Sequence, residues 1–229
     1  MGKVFVFLLS LFLTSAIKAQ SAEELIQKLR TKLDKVNDYE AKGKMKTNVA
    51  FIKTPIATVK IYYKKPNRLK IDNESGISFI PKGSMNINLS NILVNTQGFD
   101  IIDMGNETGT GLRIIKLLPK DENADMVLST LYIDEAKTLI RKSITTTREN
   151  GTYELEMAYG KYAEYGLADK VIFSFSTKDY KLPKGITFDY DDGSKKNEVE
   201  DKVKNKKGTV EINYSNYIIN KGVPDSVFQ

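Results

Sequence analysis

Residues 39–52 read Tyr-Glu-Ala-Lys-Gly-Lys-Met-Lys-Thr-Asn-Val-Ala-Phe-Ile, and their alternation decides the fold class. Odd-numbered positions from Tyr39 to Phe51 are apolar or small, whereas even-numbered positions from Glu40 to Asn48 are charged or polar. A period of two residues predicts a β-strand with one buried face and one solvated face, as in antiparallel sheets. The buried face mixes bulky with very small residues, so it can belong to a packed core or line a space.

The next stretch, residues 56–63, follows a turn at Thr54-Pro55 and is apolar at nearly every position. Such a run predicts a strand covered on both faces. An N-terminal helix is the expected cover on one of them.

That helix is predicted from residue 21 onward. Ser21 and Glu24 have the spacing of a capping box, in which side chains at the two positions satisfy free backbone donors. Apolar residues then recur at helical spacing. They are Ala22, Leu25, Ile26, Leu29, Leu33 and Val36. The pattern predicts one amphipathic helix packed on a sheet.

Short alternating runs separated by turn residues fill most of the remaining chain and predict an antiparallel sheet in up-and-down order. The predicted runs are 69–71, 77–79, 87–89, 99–104, 112–118, 126–133, 139–147, 152–162, 171–175, 186–190 and 210–214. Asn150-Gly151 is the signal of a two-residue hairpin turn. A sheet of ten or eleven strands twists strongly and tends to curl toward a barrel. The concave side can hold an apolar ligand or be filled by side chains, and the pattern leaves both open.

The first residues resemble a secretory leader. Lys3 precedes an apolar run from Val4 to Thr14, and Ala19 offers a small residue for cleavage. The run is shorter than the ~20 apolar residues that span a bilayer. We therefore predict a cleaved signal peptide over residues 1–19 and a single domain over residues 20–229, in an exported compartment. Without cysteine the chain can form no disulfide and has no lipobox for acylation.

The composition limits the catalytic and metal-binding sites that this sequence can form. With no histidine and no cysteine, the sequence excludes Ser-His-Asp and Cys-His catalysis and the usual zinc sites. Asp100, Asp103 and Glu107 flank a glycine-rich loop, but their spacing does not match an EF-hand. We predict no enzymatic activity, no cofactor and no metal. The formal net charge of +6 is a mild excess and not the basic stripe of a nucleic-acid-binding protein, so no nucleic-acid partner is expected.

Three motifs resemble the periplasmic outer-membrane lipoprotein carrier superfamily, which includes LolA, LolB, RseB and LppX. The first is the run from Tyr62 to Ile71, with two aromatic residues, a basic pair and a proline before a strand. The second pairs Leu117-Leu118-Pro119-Lys120 with Leu131-Tyr132-Ile133-Asp134. The third is the segment 220–228, which matches the pattern Asn-x-Gly-x-Pro-Asp-x-x-Phe. Together they span nearly the whole chain after the predicted leader.

The resemblance implies a mainly β fold: a single antiparallel, strongly curved half-open β-barrel of about eleven strands, with the N-terminal helix and short lid helices over a hydrophobic cavity. It implies a periplasmic carrier whose partners are the acyl chains of lipoproteins or another lipid, an inner-membrane transporter and an outer-membrane acceptor. The first strand departs from the family, because it carries Lys42, Lys44 and Lys46 where the family has a functional arginine.

Candidate cavity residues follow from the apolar face of the early strands and from the runs after residue 76. They are Met45, Val49, Phe51, Ile61, Tyr63, Phe79, Ile87 and Leu89. The same positions would also suit an ordinary core. Flexible and aromatic walls of this kind would shelter an acyl chain, since each buried methylene contributes about 0.8 kcal/mol.

Two other functions remain open at this stage. The first is an envelope-stress sensor or regulator of the same fold, which would bind a protein partner through the lysine-rich segment 194–207 or an exposed edge strand. The second is a hydrolase that uses tyrosine or a carboxylate pair, which the turn position of most acidic pairs disfavours.

Overall fold

The computed structural model describes residues 20–49, 52–53, 56–75, 96–176 and 207–229. These residues form one helix, α1 (Ala22–Leu33), and a large antiparallel sheet. The strands are β1 (Asp38–Val49), β2 (Ile52–Lys53), β3 (Ala57–Lys64), β4 (Arg68–Ser75), β5 (Phe99–Asn106), β6 (Arg113–Pro119), β7 (Met126–Asp134), β8 (Leu139–Thr147), β9 (Gly151–Ala158), β10 (Lys170–Ser176) and β11 (Lys207–Ile219). Short 3₁₀ helices cover Thr96–Gly98, Ala163–Tyr165 and Asp225–Phe228.

The strand order explains why the sheet is an open half-barrel. It runs β4-β3-β1-β11-β10-β9-β8-β7-β6-β5, with the short β2 added to β1. Neighbours in sequence are neighbours in space from β5 to β11, and the last strand returns to pair with β1. In this order the described sheet begins at β4 and finishes at β5, with no pairing between them. The predicted fold class, mainly β with about eleven strands in an open curved sheet, is confirmed.

The start of α1 follows the predicted capping pattern. The Ser21 hydroxyl accepts a 3.1 Å hydrogen bond from the backbone N–H of Glu24, which satisfies one free donor of the first turn. Leu25, Ile26 and Leu29 are each at most 2% exposed, so this face of the helix is packed against the concave side of the sheet. The helix ends at Leu33, and Val36 is buried just beyond it.

Strand β3 corrects one expectation from the sequence. Its inner face is buried from Ala57 to Tyr63, but the residues between them are only half-buried. Ile56, which precedes the strand, is 61% exposed. The strand is therefore covered on one face by the core, while its other face lies on the convex side of the sheet.

The hairpin between β8 and β9 also differs from the one that the sequence predicts. Thr147 pairs with Gly151, so the loop has three residues instead of the two that Asn150-Gly151 predicts. Gly151 has φ 67°, the left-handed conformation that follows a three-residue hairpin loop. Asn150 donates its backbone N–H to the Thr147 hydroxyl, which stabilises the turn.

Several predictions lie outside the described residues. They are the signal peptide over residues 1–19, the strands at 77–79, 87–89 and 186–190, and the lysine-rich segment up to residue 206. The strand predicted over 152–162 ends earlier, at Ala158, and a 3₁₀ helix follows at Ala163–Tyr165.

Candidate functional site

A cavity of about 190 Å³ lies between α1 and the concave face of the sheet. Its described walls come from α1, β1, β3, β4, β8, β9, β10, β11 and the turn after β9. Aliphatic and aromatic side chains dominate these walls, as in most sites for apolar ligands. The volume exceeds that of an engineered apolar cavity of ~150 Å³ that stays dry and binds benzene.

Three of the predicted cavity residues lie in this wall. They are Met45 on β1 and Ile61 and Tyr63 on β3. All three are also nearly inaccessible, with exposures of 1%, 1% and 3%, so they combine core packing with a surface on the cavity. The backbone of Val49 ends β1, and its side chain is outside the described set, as are Phe51, Phe79, Ile87 and Leu89. A role in ligand binding stays a prediction for all eight.

Gly43, one of the small residues on the inward face of β1, allows a close approach between two strands. Gly43 does not line the cavity; a Cβ added there would lie 2.9 Å from the backbone oxygen of Asn213 on β11. Glycine is thus needed for the close approach of β1 and β11. The cavity surface on β1 comes instead from the larger Tyr39 and Met45.

An irregularity beside Gly43 adds an aromatic residue to the cavity. The register of β1 against β11 shifts between Lys42 and Gly43, so that Ser215 is an extra residue in β11. Because a bulge changes which face the following residues occupy, both Tyr214 and Tyr217 line the cavity although they are three positions apart. The Ser215 hydroxyl donates to the Lys42 carbonyl across the bulge. From the sequence, Tyr214 was predicted to lie in the apolar stripe of the last strand but was not assigned to the cavity, and Tyr217 was not singled out.

These tyrosines belong to a cluster of rings at one end of the cavity. The ring of Tyr217 lies 5.0 Å from that of Tyr214, 5.3 Å from that of Tyr39 and 4.9 Å from that of Tyr162. Tyr39 also contacts Tyr63, with ring centroids 5.3 Å apart. We call Tyr39, Tyr63, Tyr162, Tyr214 and Tyr217 the tyrosine cluster. Stacked and edge-on arrangements at these distances favour rigid walls.

The hydroxyls of the cluster fall into different environments. Tyr217 donates a 2.7 Å hydrogen bond to the carbonyl of Ala168, and Tyr162 donates to Asn216. Tyr39 and Tyr214 form no hydrogen bond through their hydroxyls with any other residue that the structure describes. Burial raises the pKa of Tyr214 to about 12, and burial, together with the neighbouring phenols of Tyr214 and Tyr63, raises that of Tyr39 well above its usual value. Both phenols are therefore neutral at physiological pH.

Lys32 is the one charged side chain among the described residues that line the cavity. Its ammonium group donates a hydrogen bond to the Lys137 carbonyl, in the turn between β7 and β8. Burial is the main cause that lowers the pKa of Lys32, and Lys35 adds to the effect. Since lysine stems can cover apolar surface while the charge stays near water, Lys32 marks a rim of the cavity.

The acidic residues near the glycine-rich loop are engaged in structure. Arg113 donates from Nε to Asp103 at 2.8 Å and also from Nη2, so the pair is bidentate. The loop glycines Gly105, Gly109 and Gly111 all have positive φ, which explains their presence in this turn. Asp103 therefore has a structural partner in Arg113.

Among the described residues, no helix has the length and apolar character needed to cross a membrane.

Comparison with solved structures identifies the fold. An outer membrane lipoprotein-sorting protein domain from Vibrio parahaemolyticus superposes with a TM-score of 0.58 and 11% identity, over 91% of this chain and 97% of that one. A DUF1329 family protein from Desulfovibrio piger gives 0.56 and 12%, over 91% and 95%. A LolA superfamily protein from Nitrosomonas europaea gives 0.52 and 10%, over 89% and 97%. No protein-family model matches the chain, and no curated protein sequence does.

The protein thus has an open antiparallel half-barrel that holds an apolar cavity under one helix. More particularly, it shares this fold with the lipoprotein-sorting domain, the DUF1329 family protein and the LolA superfamily protein compared above, in agreement with the resemblance of the sequence motifs. At 10–12% identity the likeness establishes the fold, and function must be argued from the cavity itself.

Proposed function

We propose that the protein is an exported carrier that shelters acyl chains in the cavity between α1 and the sheet, and that it moves lipoproteins or related lipids through the periplasm toward the outer membrane. The observation that carries the proposal is the cavity, with its aliphatic and aromatic walls, on a fold shared with a lipoprotein-sorting domain. The leader-like residues 1–19 support export.

The energetics of such a carrier are set by the acyl chain. Each methylene moved from water into an apolar site contributes about 0.8 kcal/mol, so even part of one chain gives useful affinity. A carrier must also release its cargo to a membrane, which offers a similar environment. A cavity with adaptable walls, such as those containing Met45 and Met157, meets both needs.

The size of the cavity bears on how it would be filled. Its volume of about 190 Å³ is below the ~300–1,000 Å³ typical of sites for drug-sized ligands. In the described conformation it therefore suits a segment of one acyl chain. We propose that a longer ligand displaces α1 outward, because the apolar face of α1 meets the core through side-chain packing, whereas backbone hydrogen bonds join the strands of the opposite wall.

A matched pair of variants on β10 tests the proposal. Val171 lines the cavity, whereas the next residue, Ile172, lies on the convex face opposite Glu156 and Glu211. Val171→Lys places an ammonium group in the apolar cavity, where an unpaired charge is strongly disfavoured. Ile172→Lys introduces the same group beside two carboxylates and leaves the cavity unchanged.

The measurement is a titration of each purified protein with a fluorescent fatty-acyl probe, alongside thermal unfolding. We expect the unmodified protein and Ile172→Lys to bind the probe with similar affinity, and Val171→Lys to lose at least tenfold in affinity while it still unfolds cooperatively. Failure of the unmodified protein to bind, or equal binding by both variants, would contradict an acyl-binding cavity.

A further inference from the structure

Two hydroxyl groups in the cavity distinguish its tyrosine cluster from an ordinary aromatic core. The side chains of Tyr39 and Tyr214 line the cavity, and their hydroxyls form no hydrogen bond with another described residue. Nearby tyrosines do have partners: Tyr217 donates to Ala168, and Tyr159 donates to Ile140 at 2.8 Å. The difference marks Tyr39 and Tyr214 as donors available to a molecule inside the cavity.

Tyr39 and Tyr214 are half-buried, and their hydroxyls have no described protein partner. Phenylalanine would supply the same ring to the wall without a hydrogen-bond donor. Ring packing with Tyr217 and Tyr63 alone does not require either hydroxyl. A ligand atom that accepts hydrogen bonds would give these two hydroxyls a partner.

We propose that Tyr39 and Tyr214 form a polar subsite that holds the ester carbonyl of an acyl-ester ligand. The proposal rests on the proposed function and specifies its ligand, because it adds the ester group to the acyl chain that the aliphatic walls accommodate. In the proposed complex, the ester carbonyl oxygen accepts a hydrogen bond from one or both phenols, and the acyl chain extends along the apolar walls.

The chemistry of the two phenols favours an uncharged acceptor. Their raised pKa values keep them protonated, so they act as neutral donors throughout the physiological range. An ester carbonyl is neutral and costs much less to transfer from water than a carboxylate. The tyrosine cluster also provides a rigid setting, since Tyr217 is fixed by its bond to Ala168 and its ring contacts both Tyr39 and Tyr214.

The test is competition against the fluorescent acyl probe by three unlabelled compounds of matched chain length: methyl palmitate, an n-alkane and palmitate. They are compared on the unmodified protein, on Tyr39→Phe, on Tyr214→Phe and on the double variant. Tyr132→Phe is the control, because Tyr132 lies on the convex side with the Lys142 ammonium 5.1 Å from its ring centre. Each substitution keeps the aromatic ring, and the single variants provide a result if the double variant is unstable.

We expect the unmodified protein and Tyr132→Phe to prefer the ester to the alkane. The ratio of ester to alkane affinity should be about tenfold smaller in the double variant, as expected for the loss of one or two hydrogen bonds. The affinity of the double variant for the alkane should be equal to or higher than that of the unmodified protein. An unchanged ratio of ester to alkane affinity in all the variants would overturn the subsite and leave the acyl-binding function standing. Stronger competition by palmitate than by the ester would also overturn it, because that preference requires a cation such as Lys32. An unmodified protein that binds neither ester nor alkane would overturn both proposals.

Discussion

The carboxylate of Asp225 lies 2.5 Å from the ammonium nitrogen of Lys64, although 161 positions separate them in the sequence. The same carboxylate lies 2.8 Å from the guanidinium of Arg68. Phe228 completes the contact, with its ring centre 5.2 Å from Arg68. Two of the motifs that carry the family resemblance, 62–71 and 220–228, therefore meet in the folded protein. They fasten the C-terminal 3₁₀ helix to β3 and β4.

The start of the C-terminal motif forms a second junction. Asn220 has φ 55° and accepts a 2.7 Å hydrogen bond from the backbone N–H of Asn37, while its Nδ2 donates to the Lys35 carbonyl. Gly222 donates its N–H to the side chain of the buried Asp38. These bonds tie the end of β11 to the link between α1 and β1, so the motif has a structural explanation independent of any ligand.

Asp225→Asn should loosen the C-terminal 3₁₀ helix. Lys64 is the main cause that lowers the pKa of Asp225, and Arg68 adds to it, so the carboxylate is charged in the folded state at neutral pH. Because the Asp225 side chain is 64% exposed, solvent screens the ion pairs and the loss of global stability should be small. Hydrogen exchange of the amides from 225 to 229 should increase clearly.

The control for this experiment is the same measurement at high salt, which screens exposed pairs. The difference between Asp225→Asn and the unmodified protein should shrink as salt is added. Unchanged exchange rates at low salt would show that the ion pairs do not hold this segment.

Gly43→Ala should destabilise the protein by about 1–3 kcal/mol, because the added Cβ would lie 2.9 Å from the Asn213 backbone oxygen. Backbone cannot move aside as a flexible side chain can, so β1 and β11 would have to separate. Lys44→Ala on the exposed face of β1 is the control and should change the free energy of unfolding by less than about 0.5 kcal/mol. Urea unfolding measures both. Equal stability of the two variants would contradict the close approach at Gly43.

The Asp103–Arg113 pair predicts a pH dependence. Hydrogen bonding from Arg113 is the main cause that lowers the pKa of Asp103 in the folded protein. The stabilisation is therefore present above the pKa of Asp103 in the unfolded chain and is lost as pH falls through its lower folded value. With the Arg113 side chain 18% exposed and that of Asp103 34% exposed, we expect a contribution of about 1 kcal/mol for this bidentate pair.

Asp103→Asn should accordingly unfold at lower urea concentration than the unmodified protein at pH 7. The gap should close in acid, below the folded pKa of Asp103, because the unmodified side chain is then also neutral. Asp100→Asn is the control: Asp100 lies on the same strand, is exposed and is 3.7 Å from Lys120. A stability gap for Asp103→Asn that is the same at both pH values would contradict the assignment.

The sequence predicted the fold well where local patterns determine structure. The alternation in β1, the helical spacing around Leu25 and Leu29, and the capping by Ser21 all lead directly to elements of the structure. These signals are local, since each depends on residues only a few positions apart.

The site was harder to predict, because its geometry depends on distant residues. Tyr217 is on the wrong face if the period of two is continued from Tyr214, and only the extra residue Ser215, set against Gly43 of β1, brings it into the cavity. Leu167, which follows the 3₁₀ helix after β9, lines the cavity through a turn that no periodic pattern marks. Met45, Ile61 and Tyr63 were found because they lie on the inward face of regular strands.

The central claim, that the cavity carries acyl chains, is tested most directly by mass spectrometry of organic extracts. The protein is purified without detergent from the envelope of a bacterial host, together with Val171→Lys and Ile172→Lys. We expect a stoichiometric acyl-ester lipid or acylated peptide from the unmodified protein and from Ile172→Lys, and none from Val171→Lys. Empty extracts from a well-folded unmodified protein, or equal lipid from both variants, would contradict the account.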